Sequence, residues 1–192
     1  MSYRNTLNQM TLKQKFEQLA RIDPMTGLLN RSALAADVTK IVAGRGDAMI
    51  AVHTIDLDHF KAANDRFGHP VGDALLRQVA ARLSSLAGRS DLVVRMGGDE
   101  FILVQTVPSS RGGAEAMAQR IFETVSAPYR IGDHEIVIGA SIGIALSPEH
   151  GKTVEALLSR SDAALYRAKE RRGGYAIAAE PAGLDHDRQR AA

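Results

Sequence analysis

Residues 95 to 101 read Arg-Met-Gly-Gly-Asp-Glu-Phe, "RMGGDEF", and stand between Leu92-Val93-Val94 and Ile102-Leu103-Val104. Two short apolar runs joined through paired glycines spell a β-hairpin, since glycine reaches the positive φ of a tight turn without steric cost. The earlier run from Ala48 to Ile55, "AMIAVHTI", is almost unbroken in its hydrophobicity, which suits a central strand covered on both faces. A hairpin laid beside such a strand starts a sheet, and the rest of the chain can be placed around it.

After the central strand, Phe60, Ala63 and Phe67 mark a short helix closed by Gly68. Pro70 opens a longer helix whose buried face carries Val71, Leu75, Val79, Leu83 and Leu86. Before the strand, the turn-like Asp23-Pro24-Met25-Thr26-Gly27 leads into a helix through Leu34, Val38, Ile41 and Val42 that ends near Gly44. Residues 113 to 126 read as another helix, and Tyr129 to Ile131 and Glu135 to Leu146 as two strands turning at Gly132-Asp133. Val154 to Lys169 reads as a helix and residues 175 to 178 as a last short strand. Strands and helices alternate but two hairpins are included, so the expected class is α/β (α+β), with a mixed central sheet flanked by helices.

Residues 5 to 21 place Leu12, Phe16 and Leu19 at the spacing of an amphipathic helix. Either it ends a signalling helix and pairs with a copy of itself, or it packs on its own domain. The expected organisation is a linker helix at 1–22, one domain at 23–179 and a disordered tail at 180–192.

The 192 residues are 45% hydrophobic, enough for one well-buried domain. A formal net charge of +2 sets up no field that would attract a nucleic-acid polymer, so an anionic ligand needs a local site. Cysteine is absent, which excludes disulfides, thiolate metal sites and cysteine nucleophiles. No run approaches the ~20 apolar residues of a membrane span, and the N-terminus lacks the apolar core of a signal peptide, so a cytoplasmic location is expected.

Two acidic clusters fall at strand ends: Asp56-Leu57-Asp58 closes the central strand and Asp99-Glu100 follows the paired glycines. If the hairpin lies beside that strand, three or four carboxylates converge at one sheet edge, where their repulsion calls for a hard divalent cation. Mg²⁺ held by one or two carboxylates plus substrate phosphates is the form such a site takes. Two ions together would clamp the attacking and leaving oxygens of a phosphoryl or nucleotidyl transfer. Plainer readings stand beside these: Asp58 as the N-cap of the helix it precedes, and Gly-Asp as the tip of an ordinary exposed hairpin.

Five motifs in order carry a resemblance: "DPMTGLLNR" at 23–31, "DLDHFKAANDRFGHPVGD" at 56–73, "RMGGDEF" at 95–101, "SIGIA" at 141–145 and "ALYRAK" at 164–169. Together they resemble the GGDEF family of diguanylate cyclases, over about residues 20 to 178. The resemblance implies a palm-like nucleotidyl-cyclase fold and the condensation of two GTP into cyclic di-GMP with release of pyrophosphate. It implies two Mg²⁺ per site, with Mn²⁺ as the alternative ion. By the same resemblance Asp56, the Leu57 carbonyl, Asp99 and Glu100 hold metal, and Asp99 with Glu100 is catalytic. Lys61 and Lys169 contact phosphate, while Asn64, His69 and Asp73 read the guanine base.

An acceptor-only carboxylate at Asp73 suits guanine, which offers adjacent N1–H and N2–H donors. Plainer roles are an i,i+4 pair of Lys61 with Asp65, a cap at His69 before Pro70, and helix-dipole contacts for Asp73 and Lys169. Two positions depart from the family pattern. A phosphate-contacting arginine is replaced by Gly173, with Arg171 and Arg172 just before it. In "GRSDLVVRMGGDEF", Asp91 matches the family's product-inhibition motif but Gly88 stands where its arginine would be, so feedback inhibition is expected to be lost or much weakened. Each family domain binds one GTP, so catalysis needs a homodimer, and a longer parent chain would add an upstream sensor or a downstream phosphodiesterase domain. The rival reading is a GTP-binding regulatory domain that controls such a phosphodiesterase or another partner.

Overall fold

A computed structural model describes residues 21–45 and 48–180. The helix expected over 5–21 and the tail expected from 180 lie almost wholly outside the described residues.

The chain runs β1 (Leu29–Asn30), α1 (Arg31–Arg45), β2 (Ile50–Asp58), α2 (Phe60–Phe67), α3 (His69–Leu86), β3 (Leu92–Gly97), β4 (Glu100–Gln105) and α4 (Arg111–Ser126). It continues with β5 (Tyr129–Ile131), β6 (His134–Ile136), β7 (Gly139–Ser147), α5 (Val154–Glu170) and β8 (Gly174–Ile177). Six strands form one sheet in the order β1-β3-β4-β2-β7-β8. β2 lies at its centre, antiparallel to β4 and to β7, while β1 runs parallel to β3 and β8 parallel to β7. The mixed sheet is as expected.

Both faces of the sheet are covered, which explains the unbroken apolarity of β2. Ala51, Ile55 and Leu57 pack on one side with Leu75, Val79 and Leu83 of α3 and Ala118, Ile121 and Val125 of α4. Ile50 and Val52 pack on the other with Leu34 and Val38 of α1 and Leu157, Ala164 and Ala168 of α5. Alternate residues of a strand point to opposite faces, so even-numbered positions of β2, Asp56 included, face α5. His53 is fully buried, and burial pulls its pKa down to about 4, leaving it neutral in the core.

Side chains cap the starts of α4 and α5. Ser110 accepts from the Gly113 N–H at 3.1 Å and Thr153 from the Ala156 N–H at 3.2 Å, each satisfying a donor that the first helical turn leaves free.

One expectation is corrected. The stretch from Glu135 to Leu146 is two strands in two sheets: β6 pairs only with β5, and β7 enters the main sheet. The break falls at Val137 and Ile138, where Val137 is exposed and Ile138 is buried in the core. The two-residue β1, hidden in "LLNR", has no periodicity to announce it and exists through its pairing of Leu29 with Val94.

The "SIGIA" motif acquires a packing role. A Cβ on Gly143 would fall on the Ser161 carbonyl and the Leu165 backbone of α5, so α5 lies directly against β7 only because residue 143 is glycine. A buried hydrogen bond of 2.7 Å between the Thr54 and Ser161 hydroxyls adds a second fastening between β2 and α5.

Candidate active site

The hairpin does lie beside the central strand, in a register that pairs Asp56 of β2 with Glu100 of β4. The Leu57 N–H donates to the Asp99 carbonyl at 3.3 Å, so the turn Gly97-Gly98-Asp99 is stitched to the end of β2. Both glycines have positive φ, +141° and +52°.

The acidic groups here divide. Lys169, near the end of α5, donates to Asp56 at 2.8 Å. Asp99 is half-buried, and its pKa is raised by burial first and by the Asp56 carboxylate second. Burial works against the charge on Lys169, yet its hydrogen bond to Asp56 and the charges of Asp56, Asp58 and Asp99 raise its pKa overall. Asp56, Asp99 and Lys169 thus form one electrostatic cluster. Asp58 lines the same cleft but is held by β7: both its oxygens accept from the Ser141 hydroxyl at 3.0 Å. It caps no helix, because the residue at the N-cap of α2 is His59, without a side-chain cap bond. Glu100 is exposed.

Among the described residues no three His, Cys, Asp or Glu side chains are grouped to hold a metal by themselves. The convergence of three or four carboxylates is therefore reduced to a core of Asp56 and Asp99. Two carboxylates and the Leu57 carbonyl are an all-oxygen donor set suited to Mg²⁺, which takes its remaining ligands from water and substrate phosphates rather than from a closed protein cage. The residues present fit the ion.

A cleft of about 610 Å³ opens here, lined by Asp56, Leu57, Asp58, His59, Lys169 and Arg172. Among the described residues, His59 and Arg172 are the non-glycine residues at positive φ, +68° and +64°. Such backbone costs an ordinary side chain of order 1 kcal/mol or more and concentrates where function holds it in place. Both instances border one cleft. Arg172 follows the C-terminus of α5, where its N–H donates to the Lys169 carbonyl at 2.9 Å, in a position usually taken by glycine. Of the two arginines before Gly173, it is Arg172 that borders the cleft with Lys169.

Asn64, His69 and Asp73 flank the elbow between α2 and α3, where Gly68 has φ +87°, with His69 exposed and Asn64 and Asp73 half-buried. Lys61 is exposed on the first turn of α2. The Asn64 Oδ1 is buried without a hydrogen-bond partner among the described residues.

The sequence reading missed Arg95 and Asp23. Arg95 is buried, and its guanidinium donates to the Gly98 carbonyl at 2.8 and 3.2 Å and to the Asp23 carboxylate at 3.2 and 3.3 Å. Asp23 also accepts from the Thr26 N–H at 2.9 Å and the Thr26 hydroxyl at 2.6 Å. Burial opposes the charge on Asp23, but the bonds from Thr26 and Arg95 prevail and lower its pKa. The Asp-Pro-Met-Thr-Gly turn therefore anchors the Gly97-Gly98 turn. A cation just before two glycines, and an aspartate in a turn far upstream, were the available signals.

The family model for "Diguanylate cyclase, GGDEF domain" matches residues 20–174. The chain is 39% identical to the cyclic di-GMP phosphodiesterase PdeR of Escherichia coli, over 82% of this chain and 24% of that protein. It is 39% identical to the diguanylate cyclase TpbB of Pseudomonas aeruginosa, over 81% of this chain and 36% of that one. The crystal structure of the GGDEF domain of TpbB superposes with a TM-score of 0.77 at 37% identity, covering 81% of this chain and 99% of that domain. The chain thus spans about a quarter and a third of the length of these two curated relatives. No helix among the described residues is long and apolar enough to cross a membrane.

Proposed function

Because the chain belongs to the diguanylate cyclase GGDEF-domain family, we propose that it condenses two GTP into cyclic di-GMP and releases pyrophosphate. The observation that carries this reading is the meeting of Asp56, Asp99 and Lys169 at one strand end, beside a cleft bordered by a second cation.

Asp56, Asp99 and the Leu57 carbonyl would hold Mg²⁺, or Mn²⁺, with Glu100 at the exposed margin. Bound there, two such ions would neutralise the triphosphate and stabilise charge on the α-phosphate as the bond to pyrophosphate breaks. Lys169 and Arg172 face the phosphates from the end of α5, and Lys61 from α2. Arg172 takes the part of the arginine that Gly173 replaces. The Asp73 carboxylate accepts from the guanine N1–H and N2–H, with the Asn64 amide and His69 beside it. Asp99, beside the ions, would take the proton of the attacking 3′-hydroxyl. One domain offers one such site, so the 3′-oxygen of one GTP reaches the α-phosphate of the other only when two copies face each other.

Feedback through Asp91 is lost in this reading. Its Oδ2 accepts from the Gly88 N–H at 2.8 Å and its Oδ1 from the Thr106 N–H at 2.8 Å, so the carboxylate is engaged by its own loop and by the residue after β4. Residue 88 has no side chain to offer a ligand.

Incubation with GTP and Mg²⁺ followed by chromatography tests both points. Cyclic di-GMP should accumulate, and product added at the start should leave the rate unchanged. The identity to PdeR favours one second reading, a domain that binds GTP and regulates an attached phosphodiesterase. Thermal stabilisation by GTP without product would select it.

A further inference from the structure

We propose that Gly72, on the first turn of α3, sets the position of the Asn64 carboxamide and through it the preference for guanine; this rests on the assignment of Asn64 to the base. A Cβ built on Gly72 would fall on Asn64 Oδ1 and would lie 2.7 Å from its Cγ and 3.3 Å from its Nδ2. The amide therefore points its oxygen at Gly72, into the space that any other residue would fill, with its nitrogen farther away. Gly72 itself is buried and helical, with its N–H bonded to the Gly68 carbonyl at 3.1 Å. Its φ is not in the positive range, so no backbone strain demands glycine here. Glycine is also a poor helix former. The remaining reason for glycine is the close approach of Asn64.

That approach is unusual because it holds a polar atom in place without bonding it. Asn64 Oδ1 is buried with no hydrogen-bond partner among the described residues, so packing against Gly72 rather than a bond fixes which way the amide faces. A Cβ at position 72 meets only the free end of a side chain, so the fold can yield by rotating the amide. The amide then loses the orientation in which it faces the base while the helix is preserved. Gly72 is a positioning residue, acting through Asn64 and touching no substrate itself.

The test measures GTP affinity, KM and kcat with Mg²⁺ for the unmodified chain, Gly72→Ala, Asn64→Ala and the double variant, with inosine triphosphate as the nucleotide lacking the 2-amino group. Gly72→Ala should keep its circular dichroism and melting temperature and bind GTP about tenfold more weakly, the worth of one hydrogen bond. Its preference for GTP over inosine triphosphate should narrow, with KM changing more than kcat. In the Asn64→Ala background the second substitution should cost nothing further, because the obstructed amide is gone. Unchanged GTP affinity in Gly72→Ala, or equal losses from it with and without Asn64, overturns the proposal. So does a Gly72→Ala chain that fails to fold in both backgrounds, since the cost would then lie in the helix. If the unmodified chain binds no guanine nucleotide, the functional reading fails and this one with it, a result distinct from normal binding that Gly72→Ala leaves intact.

Discussion

Two hairpins in this protein are built from nearly the same residues. One turns through Gly97-Gly98-Asp99 between β3 and β4, the other through Gly132-Asp133 between β5 and β6. Each has a glycine in the left-handed region with no atom within 4 Å of a would-be Cβ: Gly98 at φ +52° and Gly132 at φ +58°. They differ in what lies beside them. The first hairpin is hydrogen-bonded to β2, which sets Asp99 against Asp56, and Arg95 clamps its turn from below. The second pairs only with itself, outside the main sheet. Turn chemistry makes a hairpin, whereas the neighbouring strand makes it a site.

The comparison breaks most sharply at the two aspartates. Asp99→Ala should abolish cyclic di-GMP formation while leaving the melting temperature within a few degrees; Asp133→Ala should leave both unchanged. Normal turnover by Asp99→Ala would show that the strand register has no catalytic meaning. A smaller effect is expected at the clamp. Arg95→Leu removes two donors from the Gly98 carbonyl and the ion partner of Asp23, and buried losses of this kind destabilise by about 3 kcal/mol. Chemical denaturation should report that loss, with turnover reduced beyond it even when the variant is fully folded. The smallest effect sharpens the contrast: Gly98→Ala and Gly132→Ala should each cost about 1 kcal/mol in stability, from left-handed backbone alone. Only Gly98→Ala should also slow turnover.

What could be read beforehand follows the same division. The central strand and the first hairpin were visible, because continuous apolarity and paired glycines are local signals; their adjacency entered as a condition that the acidic ends suggested and the β2–β4 pairing meets. The boundary at Val137 was not visible, since Glu135 to Leu146 is apolar enough throughout to read as one strand and only the choice of partner splits it. The bond of Asp58 to the Ser141 hydroxyl could not be read either, because only the pairing of β2 with β7 brings the two together. The left-handed backbone at Arg172 is invisible in residue type, because arginine does not favour it, and at His59 the modest preference of histidine is too weak to announce it. Arg95 and Asp23 are 72 positions apart, and nothing periodic connects them.

The contact of α5 with Gly143 has a dynamic corollary. A helix seated on bare backbone, and bonded through Ser161 to the central strand, cannot slide or lift without opening the core. Any exchange of partners by Lys169 is thereby confined to rotation about its own side-chain bonds, a movement of picoseconds to nanoseconds rather than of microseconds. The ammonium can release Asp56 and turn elsewhere while the scaffold beneath it stays still.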